Sequence, residues 1–466
     1  MALAVVVYLY NFLIILVHLA ESNYECEWCQ KPAKLKTIDN GVIELGIDLQ
    51  RGGSITYLSQ SKKNFSIINI HDMGREVQLS FYAGPANYEP SPGSQSCNTS
   101  WRHGEWPWNP IGAGDIVGNT GQVLDLQIDN NSHSMYVKSK PLQWACNNVS
   151  CECTFEKWIS LNGTTATVKA SLTNARSDKT FYHGQGQELP AVYTTGYLHR
   201  LFTYDGTEPF TNAPMKELPA GPNSPNAFLA TEHWAAFVDD DEWGLGVFQP
   251  EASQMLGRFV GDHPGTGACI DPGPTDDATG YIAPINEEIL DWNIEYNFTF
   301  YLILGNLDTI RSEAYDLGKN LPSCLNSDFV SDRRHFIVTN AVDTGVPNQF
   351  WQIIMEKNDP QLIGPVCFWK AEDYPKLYIN ASYSTKQASN STKGRIYWLQ
   401  PQGSENFNEQ NSIPFEVKAD GMWHVYKVDL SQVSTYSGAM YRLRFDPADT
   451  GVTGSYIKLA FIHTQG

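Results

Sequence analysis

The strongest constraint on the fold is a two-residue alternation of apolar and polar side chains. Residues 42–49 and 165–172 place an apolar side chain at every second position. This period is typical of β-strands that bury one face. Further strands are predicted at 298–304, 336–339, 426–430 and 457–462. The sequence therefore predicts an all-β fold.

One helix is predicted among these strands. Asp308 can cap its start and Gly318 can end it. Its apolar face is formed by Leu307, Ile310, Ala314 and Leu317. We place a domain boundary after Cys324, so that residues 23–324 and 325–466 form two antiparallel β-sandwich domains.

The N-terminus carries the features of an export signal. Residues 1–20 contain no Lys, Arg, Asp or Glu, and 5–19 are largely apolar. We interpret residues 1–22 as a signal peptide cleaved before Asn23, which predicts a secreted, extracellular protein. An uncleaved signal anchor stays open as an alternative, because the usual positive residues are missing.

Two further features agree with export. Asn-x-Ser/Thr triplets predict surface loops that carry N-glycans in a secreted chain. They begin at Asn64, Asn98, Asn130, Asn148, Asn162, Asn297, Asn380 and Asn390. The nine cysteines all follow residue 22, and in an oxidising compartment they should form mainly structural disulfides. Their odd number leaves one free or paired with another chain.

Two cysteine groups allow a different interpretation. Cys26 and Cys29 have redox spacing, while Cys146, Cys151 and Cys153 could be metal ligands. Zinc sites need two well-separated pairs, and no His-x-His sequence lies nearby. We therefore favour disulfides and predict no metal centre.

Composition excludes other classes. Aromatic residues make up 12% of the 466 positions, far more than in disordered chains. The formal net charge of −19, without any basic cluster, argues against nucleic acid or another polyanion as a partner.

Two stretches resemble known families. In residues 41–59 a strand leads through Arg51-Gly52-Gly53 into a second strand, which resembles the opening of galactose-mutarotase-like domains. These are large antiparallel supersandwiches found in sugar epimerases, polysaccharide lyases and glycoside hydrolases. The resemblance covers about residues 23–320.

The C-terminal part has its own resemblance. Residues 415–417, 420–431 and 443–447 are similar to the jelly-roll modules that accompany secreted carbohydrate-active enzymes. Together the resemblances imply a large supersandwich followed by a smaller jelly-roll β-sandwich, in a protein that acts on or binds carbohydrate.

An aromatic cluster is the first candidate site. Trp101, His103, Glu105, Trp106 and Trp108 lie within eight residues. Indole rings stack on the C–H faces of sugars, so Trp106 and Trp108 are predicted to bind substrate. The alternative is that these rings fill the space between two sheets.

The segment 183–190 is the second candidate. Glu188 and His183 offer a general acid or base, and Gln187 offers an amide for sugar hydroxyls. Arg200 is a further substrate-binding candidate. The alternative is a structural loop in which Glu188 forms a salt bridge with Arg200.

Residues 74–82 form the third candidate, with Arg75, Gln78 and Tyr82 as substrate-binding residues. Strand alternation would place Arg75 on the apolar face with Val77 and Leu79. Its guanidinium would suit a sugar carboxylate there, and the alternative is a buried ion pair.

Acidic residues supply the last candidates. Glu232 is the most plausible second catalytic carboxylate. The acidic run 239–242 suggests a structural calcium ion, but it lacks calcium-loop spacing, so we favour a solvated hairpin tip. No other cofactor is expected.

The sequence supports two functions. The first is a secreted, N-glycosylated, disulfide-bonded protein that binds a carbohydrate polymer and, as an enzyme, would be a glycoside hydrolase, polysaccharide lyase or sugar epimerase. The second is a non-catalytic acidic glycoprotein of an extracellular, even mineralised, matrix. The expected partner is a glycan or polysaccharide, with no membrane contact after signal cleavage; a protein-binding ectodomain is less supported.

Overall fold

The computed structural model describes most of the chain after the predicted signal peptide. The described residues are 31–85, 88, 97, 108–221, 227–261, 273–319, 321, 323–346, 349–385 and 391–465. Within these ranges, no helix combines the length and the apolar character needed to cross a bilayer.

Residues 35–306 form a large antiparallel β-sandwich. Its strands are β1 (Leu35–Asp39), β2 (Ile43–Asp48), β3 (Ser54–Gln60), β4 (Val77–Ser80), β5 (Pro110–Ile111), β6 (Gln122–Asp129), β7 (Ser134–Lys140), β8 (Leu142–Gln143), β9 (Cys153–Asn162), β10 (Thr165–Asn174), β11 (Gln185–Thr195), β12 (Arg200–Thr203), β13 (Lys216–Leu218), β14 (Ala227–Leu229), β15 (Trp234–Val238), β16 (Trp243–Phe248), β17 (Gln254–Val260), β18 (Thr279–Glu288) and β19 (Glu295–Asn306).

Two large sheets face each other in this sandwich. The first has the strand order β1-β2-β3-β4-β11-β18-β17-β14, and the second has the order β13-β12-β15-β16-β19-β10-β9-β7-β6. One continuous apolar core lies between them and includes Leu45, Val192, Phe155 and Phe300. The alternating pattern predicted this arrangement, and the all-β fold class is confirmed.

Helix α1 (Leu307–Gly318) packs on the outer face of the second sheet. Ile310 lies against β16, where a side chain at Gly246 would come within 2.3 Å of it. The cap differs from our prediction. Asn306, not Asp308, accepts the hydrogen bond from the Thr309 amide, because the helix begins at Leu307, directly after the strand ends at Asn306.

Residues 327–463 form a second β-sandwich. Its strands are β20 (Ser327–Asp328), β21 (Ile337–Thr339), β22 (Val342–Asp343), β23 (Trp351–Ile354), β24 (Gln361–Lys370), β25 (Lys376–Ser384), β26 (Ser391–Leu399), β27 (Ser412–Lys418), β28 (Asp420–Asp429), β29 (Ala439–Asp446) and β30 (Tyr456–His463). Two 3-10 helices, Glu409–Asn411 and Leu430–Gln432, lie between strands.

The sheets of the second sandwich enclose a separate core. Their strand orders are β22-β23-β30-β25-β28, with β20 beside β30, and β21-β24-β29-β26-β27. Trp351, Trp398 and Phe445 are buried between them. The boundary that we place after Cys324 remains a prediction.

Disulfides confirm the favoured interpretation of the described cysteines. The pairs are Cys97–Cys146, Cys151–Cys153 and Cys324–Cys367. Three of these cysteines were the alternative metal ligands, and each is consumed by a covalent bond. Cys26, Cys29 and Cys269 lie outside the described residues.

A buried charge pair sits inside the first sandwich. Glu76 and Lys157 are 0% and 2% exposed, and Lys157 donates a 2.9 Å hydrogen bond to the Gly53 carbonyl. Burial raises the pKa of Glu76 and lowers that of Lys157, while the attraction between the two groups opposes both shifts.

The position of Arg75, next to Glu76, differs from our prediction. We expected Arg75 on the apolar face, but Val77 and Leu79 enter the core while Arg75 does not. The regular strand begins only at Val77, so the bend at Glu76 breaks the alternation. Glu76, and not Arg75, is consequently the buried titratable side chain of this segment.

Replacing one member of this pair should destabilise the fold. We expect Lys157→Met to lower the free energy of unfolding by about 3–5 kcal/mol, because Glu76 would lose its buried counter-charge. The double variant Glu76→Met/Lys157→Met should recover most of this loss. Chemical denaturation of the single and double variants measures both values, and additive losses would contradict the pairing.

Candidate functional site

A cleft of about 390 Å³ lies on the first sheet, on the face turned away from the core. Strands β4, β11, β18 and β17 form its floor, and residues around β5 and β8 form one wall. Its polar and aromatic lining includes Asp72, Arg75, Gln78, Ser80, Tyr82, Asn109, Trp144, Glu188, Tyr193, Arg258 and Tyr281. This is the candidate site.

Strand pairing brings Glu188 to one end of the cleft. Glu188 on β11 lies opposite Ser80 on β4. The Tyr82 hydroxyl donates a long, 3.5 Å hydrogen bond to Glu188 Oε2. Val77 and Leu79 on the same strand enter the core, so Gln78 and Ser80 face the cleft.

A cross-strand row forms the other part of the floor. Arg258 on β17 lies opposite Tyr281 on β18, which lies opposite Tyr193 on β11. The two tyrosine rings are tilted against each other with centroids 5.0 Å apart. Burial, reinforced by the charge of Glu188, raises the pKa of both phenols, so both hydroxyls stay protonated at neutral pH.

The two arginines of the cleft differ in their partners. Arg75 donates a 2.6 Å hydrogen bond to Asp277 Oδ1 and also lies 3.5 Å from Asp72. This hydrogen bond lowers the pKa of Asp277. Arg258 is exposed and forms no salt bridge within the described part of the chain. Among the described residues that line the cleft, Arg258 is therefore the cation that remains available to a ligand.

The wall of the cleft depends on close packing at Gly74. A side chain there would come within 2.8 Å of the Trp144 ring. Asn109 is held beside it, because its amide donates to the Phe81 carbonyl at 2.8 Å. The ring and the amide thus have fixed positions above the strand floor.

The structure brings four of the predicted site residues together. Arg75, Gln78, Tyr82 and Glu188 all line the cleft. Trp106, like the nearby Trp101, His103 and Glu105, lies outside the described residues. The other predicted site residues lie elsewhere.

Trp108 is not a stacking platform. Its side chain is 1% exposed and belongs to the core of the first sandwich, which matches the alternative interpretation. Gln187 is also buried. Its side-chain amide accepts a hydrogen bond from the Tyr82 backbone N–H and donates one to the Tyr82 carbonyl. Gln187 thus holds Tyr82 in place and cannot reach a ligand.

His183 and Arg200 do not line the cleft. His183 is exposed just before β11. Arg200 lies on the other sheet and forms a 2.8 Å salt bridge with Glu217, not with Glu188. His183 is thus separate from the cleft lining, and the expected ion pair between Arg200 and Glu188 is replaced by one between Arg200 and Glu217.

Glu232 is a structural anchor for α1. Its carboxylate is fully buried and accepts hydrogen bonds from Arg311 at 2.9 and 3.1 Å and from Tyr315 at 2.6 Å. The Trp234 indole and the Phe210 amide complete the set. With its acceptor sites filled on the opposite sheet, Glu232 cannot act with Glu188.

The acidic run forms a hairpin tip. Residues 239–242 connect β15 to β16, and Asp239 Oδ1 accepts from the amides of Asp241 and Trp243. Residues 240–242 are exposed at this tip, whereas Asp239 is buried. Across the described residues, no group of three or more His, Cys, Asp or Glu side chains is arranged to hold a metal ion.

Sequence reasoning missed Arg258, Tyr193 and Tyr281. They lie on three strands, of which β11 is distant in sequence from the consecutive strands β17 and β18, and the strand register makes them neighbours. The alternation in β17 places Arg258 on the face opposite the core residues Met255 and Phe259, which was the available signal.

Solved structures with a similar fold include sugar epimerases. A putative aldose 1-epimerase from Escherichia coli K12 is 12% identical, with 59% of this chain and 99% of that chain aligned and a TM-score of 0.36. A galactose mutarotase related enzyme from Lactobacillus acidophilus is 11% identical, with coverages of 58% and 97% and a TM-score of 0.35.

A low affinity xylan binding module from Roseburia intestinalis is also similar, at 9% identity, with 27% of this chain and 92% of that chain aligned and a TM-score of 0.18. No family model and no curated protein matches the chain. The resemblance to mutarotase-like and carbohydrate-binding folds is thus found at low identity and partial coverage, and it assigns no activity.

Substitutions of Glu232 and Glu217 should have different effects on the free energy of unfolding. We expect Glu232→Gln to lower the free energy of unfolding by about 3–5 kcal/mol, because the buried Arg311 loses its partner. Glu217→Gln removes an exposed ion pair and should cost at most about 1 kcal/mol. Thermal or chemical denaturation makes the comparison, and equal effects of the two substitutions would argue against the anchoring role.

Proposed function

We propose that the cleft binds a sugar unit that carries a carboxylate, within a larger carbohydrate. The observation that carries this proposal is Arg258, an exposed cation beside two ordered tyrosine hydroxyls. A guanidinium binds a carboxylate through two parallel hydrogen bonds, which gives charge and geometric selectivity together.

Glu188 and Tyr82, which also line the cleft, can form hydrogen bonds with sugar hydroxyls. Glu188 accepts hydrogen bonds and Tyr82 donates or accepts them, as Tyr82 already does with Glu188. Trp144 supplies an aromatic wall beside them. A ligand that carries both hydroxyls and a carboxylate matches this lining, and a uronic acid is the simplest such sugar.

Binding is better supported than glycoside hydrolysis. Hydrolysis needs two carboxyl groups that flank one bond. Besides Glu188, the lining contains Asp72, whose Oδ1 accepts from the amides of Gly74 and Arg75. Asp72 therefore holds the turn, and Glu188 remains the group for any proton transfer to or from a sugar.

Substitution of Arg258 tests the proposal. We expect Arg258→Gln to weaken binding of galacturonate about ten-fold or more, since a charge-assisted pair contributes about 1.5–3 kcal/mol. Binding of neutral galactose should change little. Isothermal titration calorimetry with both sugars measures this difference.

Arg200→Gln is the matched control, because Arg200 lies on the other sheet and is already paired. Equal affinity of wild type for galacturonate and galactose would contradict the acidic-sugar proposal. Loss of galacturonate binding in Arg200→Gln but not in Arg258→Gln would contradict the location. Absence of any sugar binding would favour the matrix-glycoprotein alternative.

We further propose that the chain is secreted and N-glycosylated. Disulfides and the positions of the triplet asparagines support this proposal. Those at Asn64, Asn130, Asn148, Asn162 and Asn297 are exposed. Asn380 is half-buried within β25, and its Oδ1 is enclosed without a hydrogen-bond partner; Asn98 and Asn390 lie outside the described residues.

Glycan occupancy should follow this exposure. After expression in a secretory eukaryotic host, we expect high occupancy at Asn64, Asn130, Asn148 and Asn162 and markedly lower occupancy at Asn380. Mass spectrometry of glycopeptides measures each site. Occupancy at Asn380 equal to that at Asn162 would contradict the role of exposure, and an unglycosylated chain retained in the cell would contradict secretion.

A further inference from the structure

The second sheet of the first sandwich has a surface that the cleft does not use. Helix α1 covers its outer face over β15, β16 and β19. The part formed by β6, β7, β9 and β10 is not covered by this helix. On that part, Trp158 is 44% exposed, although it lies within a large sheet.

The strand register arranges polar and aromatic side chains in a row across this surface. Trp158 lies opposite Tyr136 on one side and opposite Lys169 on the other. Gln127 extends the row beyond Tyr136, and Thr299 extends it beyond Lys169. Five strands at a spacing of about 4.8 Å give a row of about 19 Å, longer than one sugar ring.

Concave space accompanies the row on both sides of Trp158. One cavity of about 430 Å³ includes Tyr136, and another of about 450 Å³ reaches residues of the second sandwich. Trp158 and Lys169 line both cavities. We call the continuous surface formed by Tyr136, Trp158, Lys169, Asn297, Arg334 and His335 the outer groove.

Cationic groups line the outer groove, although the whole chain is acidic. Lys169 is exposed and forms no salt bridge among the described residues. Arg334 lies 3.5 Å from Glu251, which also lies 3.9 Å from His335 Nε2. Among the described residues, Lys169 is consequently a groove cation without a salt-bridge partner, and the exposed Asp129 adds one anion to the smaller cavity.

His335 adds a buried donor. It is 7% exposed, lines the larger cavity, and its Nε2 makes no hydrogen bond to the described residues. Its Nδ1 forms an ion pair with the buried Glu288. Although burial opposes the charged form, Glu288 raises the pKa of His335. Because this nitrogen has almost no accessible surface, His335 contributes to the wall of the groove and is not counted among its ligand contacts.

We propose that the outer groove is a second carbohydrate site, which binds an extended glycan chain bearing carboxylate groups. Trp158 and Tyr136 stack against sugar faces, and Lys169 pairs with a carboxylate. The second site explains why an aromatic ring of this size is left exposed in the middle of a sheet. It does not depend on the cleft.

Chain length and side-chain exchange test this proposal together. We expect wild type to bind a galacturonate hexamer, and Trp158→Ala to weaken that binding about ten-fold, the equivalent of about 1.4 kcal/mol. Lys169→Gln should weaken it about five-fold at low salt and less at high salt. Both changed side chains are exposed, so both variants should fold. Titration calorimetry measures the affinities.

Trp423→Ala is the matched control. Trp423 is 45% exposed, nearly as much as Trp158, but lies on the second sandwich. Its replacement should leave hexamer binding unchanged. If Trp423→Ala removed binding while Trp158→Ala did not, the site would lie on the second sandwich and the proposal would be wrong.

Two further outcomes overturn the proposal. Hexamer binding that is lost in Arg258→Gln and unchanged in Trp158→Ala would show that the cleft alone binds glycan. Binding that appears only in Asn297→Gln would show that a glycan on Asn297, which lines the larger cavity, fills the groove of the native protein. Galacturonate monomer binding reports on the cleft separately, so failure of one site is distinguishable from failure of the other.

Discussion

The position of β11 between β4 and β18 is the constraint on which the candidate site depends. This strand contributes Glu188 and Tyr193 to one surface, while its apolar residues close the core behind them. The pairing of β11 with β18 shifts register between Glu188 and Val192. Because of this shift, Glu188 and Tyr193 both face the cleft, although they are five residues apart. A slip of one residue would turn these side chains into the core.

Charge is distributed unequally between the core and the cleft. Glu76 and Lys157 compensate each other inside the sandwich, and Glu232 is saturated by donors around α1. Such buried groups resist replacement of one partner but offer nothing to a ligand. Arg258 differs from these buried groups, because it has no salt-bridge partner among the described residues and is accessible to solvent. Accessibility, more than charge itself, separates functional candidates from structural ones here.

The sequence predicts the fold class better than the site. Alternation identifies strands because one face of each strand must be apolar, and the helix is marked by a separate period. Glu188 and Arg75 were also found from local chemistry. The prediction that Trp108 binds substrate was wrong, since a ring in a Trp-Pro-Trp segment can equally fill a core. Arg258 was missed, because its relation to Tyr281 depends on pairing between strands, and a single sequence does not encode that register in any local pattern.

The most direct test of the account is a crystal structure of the mature protein with a galacturonate oligosaccharide. We expect a sugar unit on the floor formed by Tyr193 and Tyr281, with its carboxylate within hydrogen-bond distance of Arg258 and a hydroxyl hydrogen-bonded to Glu188. An empty cleft at saturating ligand, or a bound sugar whose carboxylate points away from Arg258, would contradict the assignment of this surface as an acidic-sugar site.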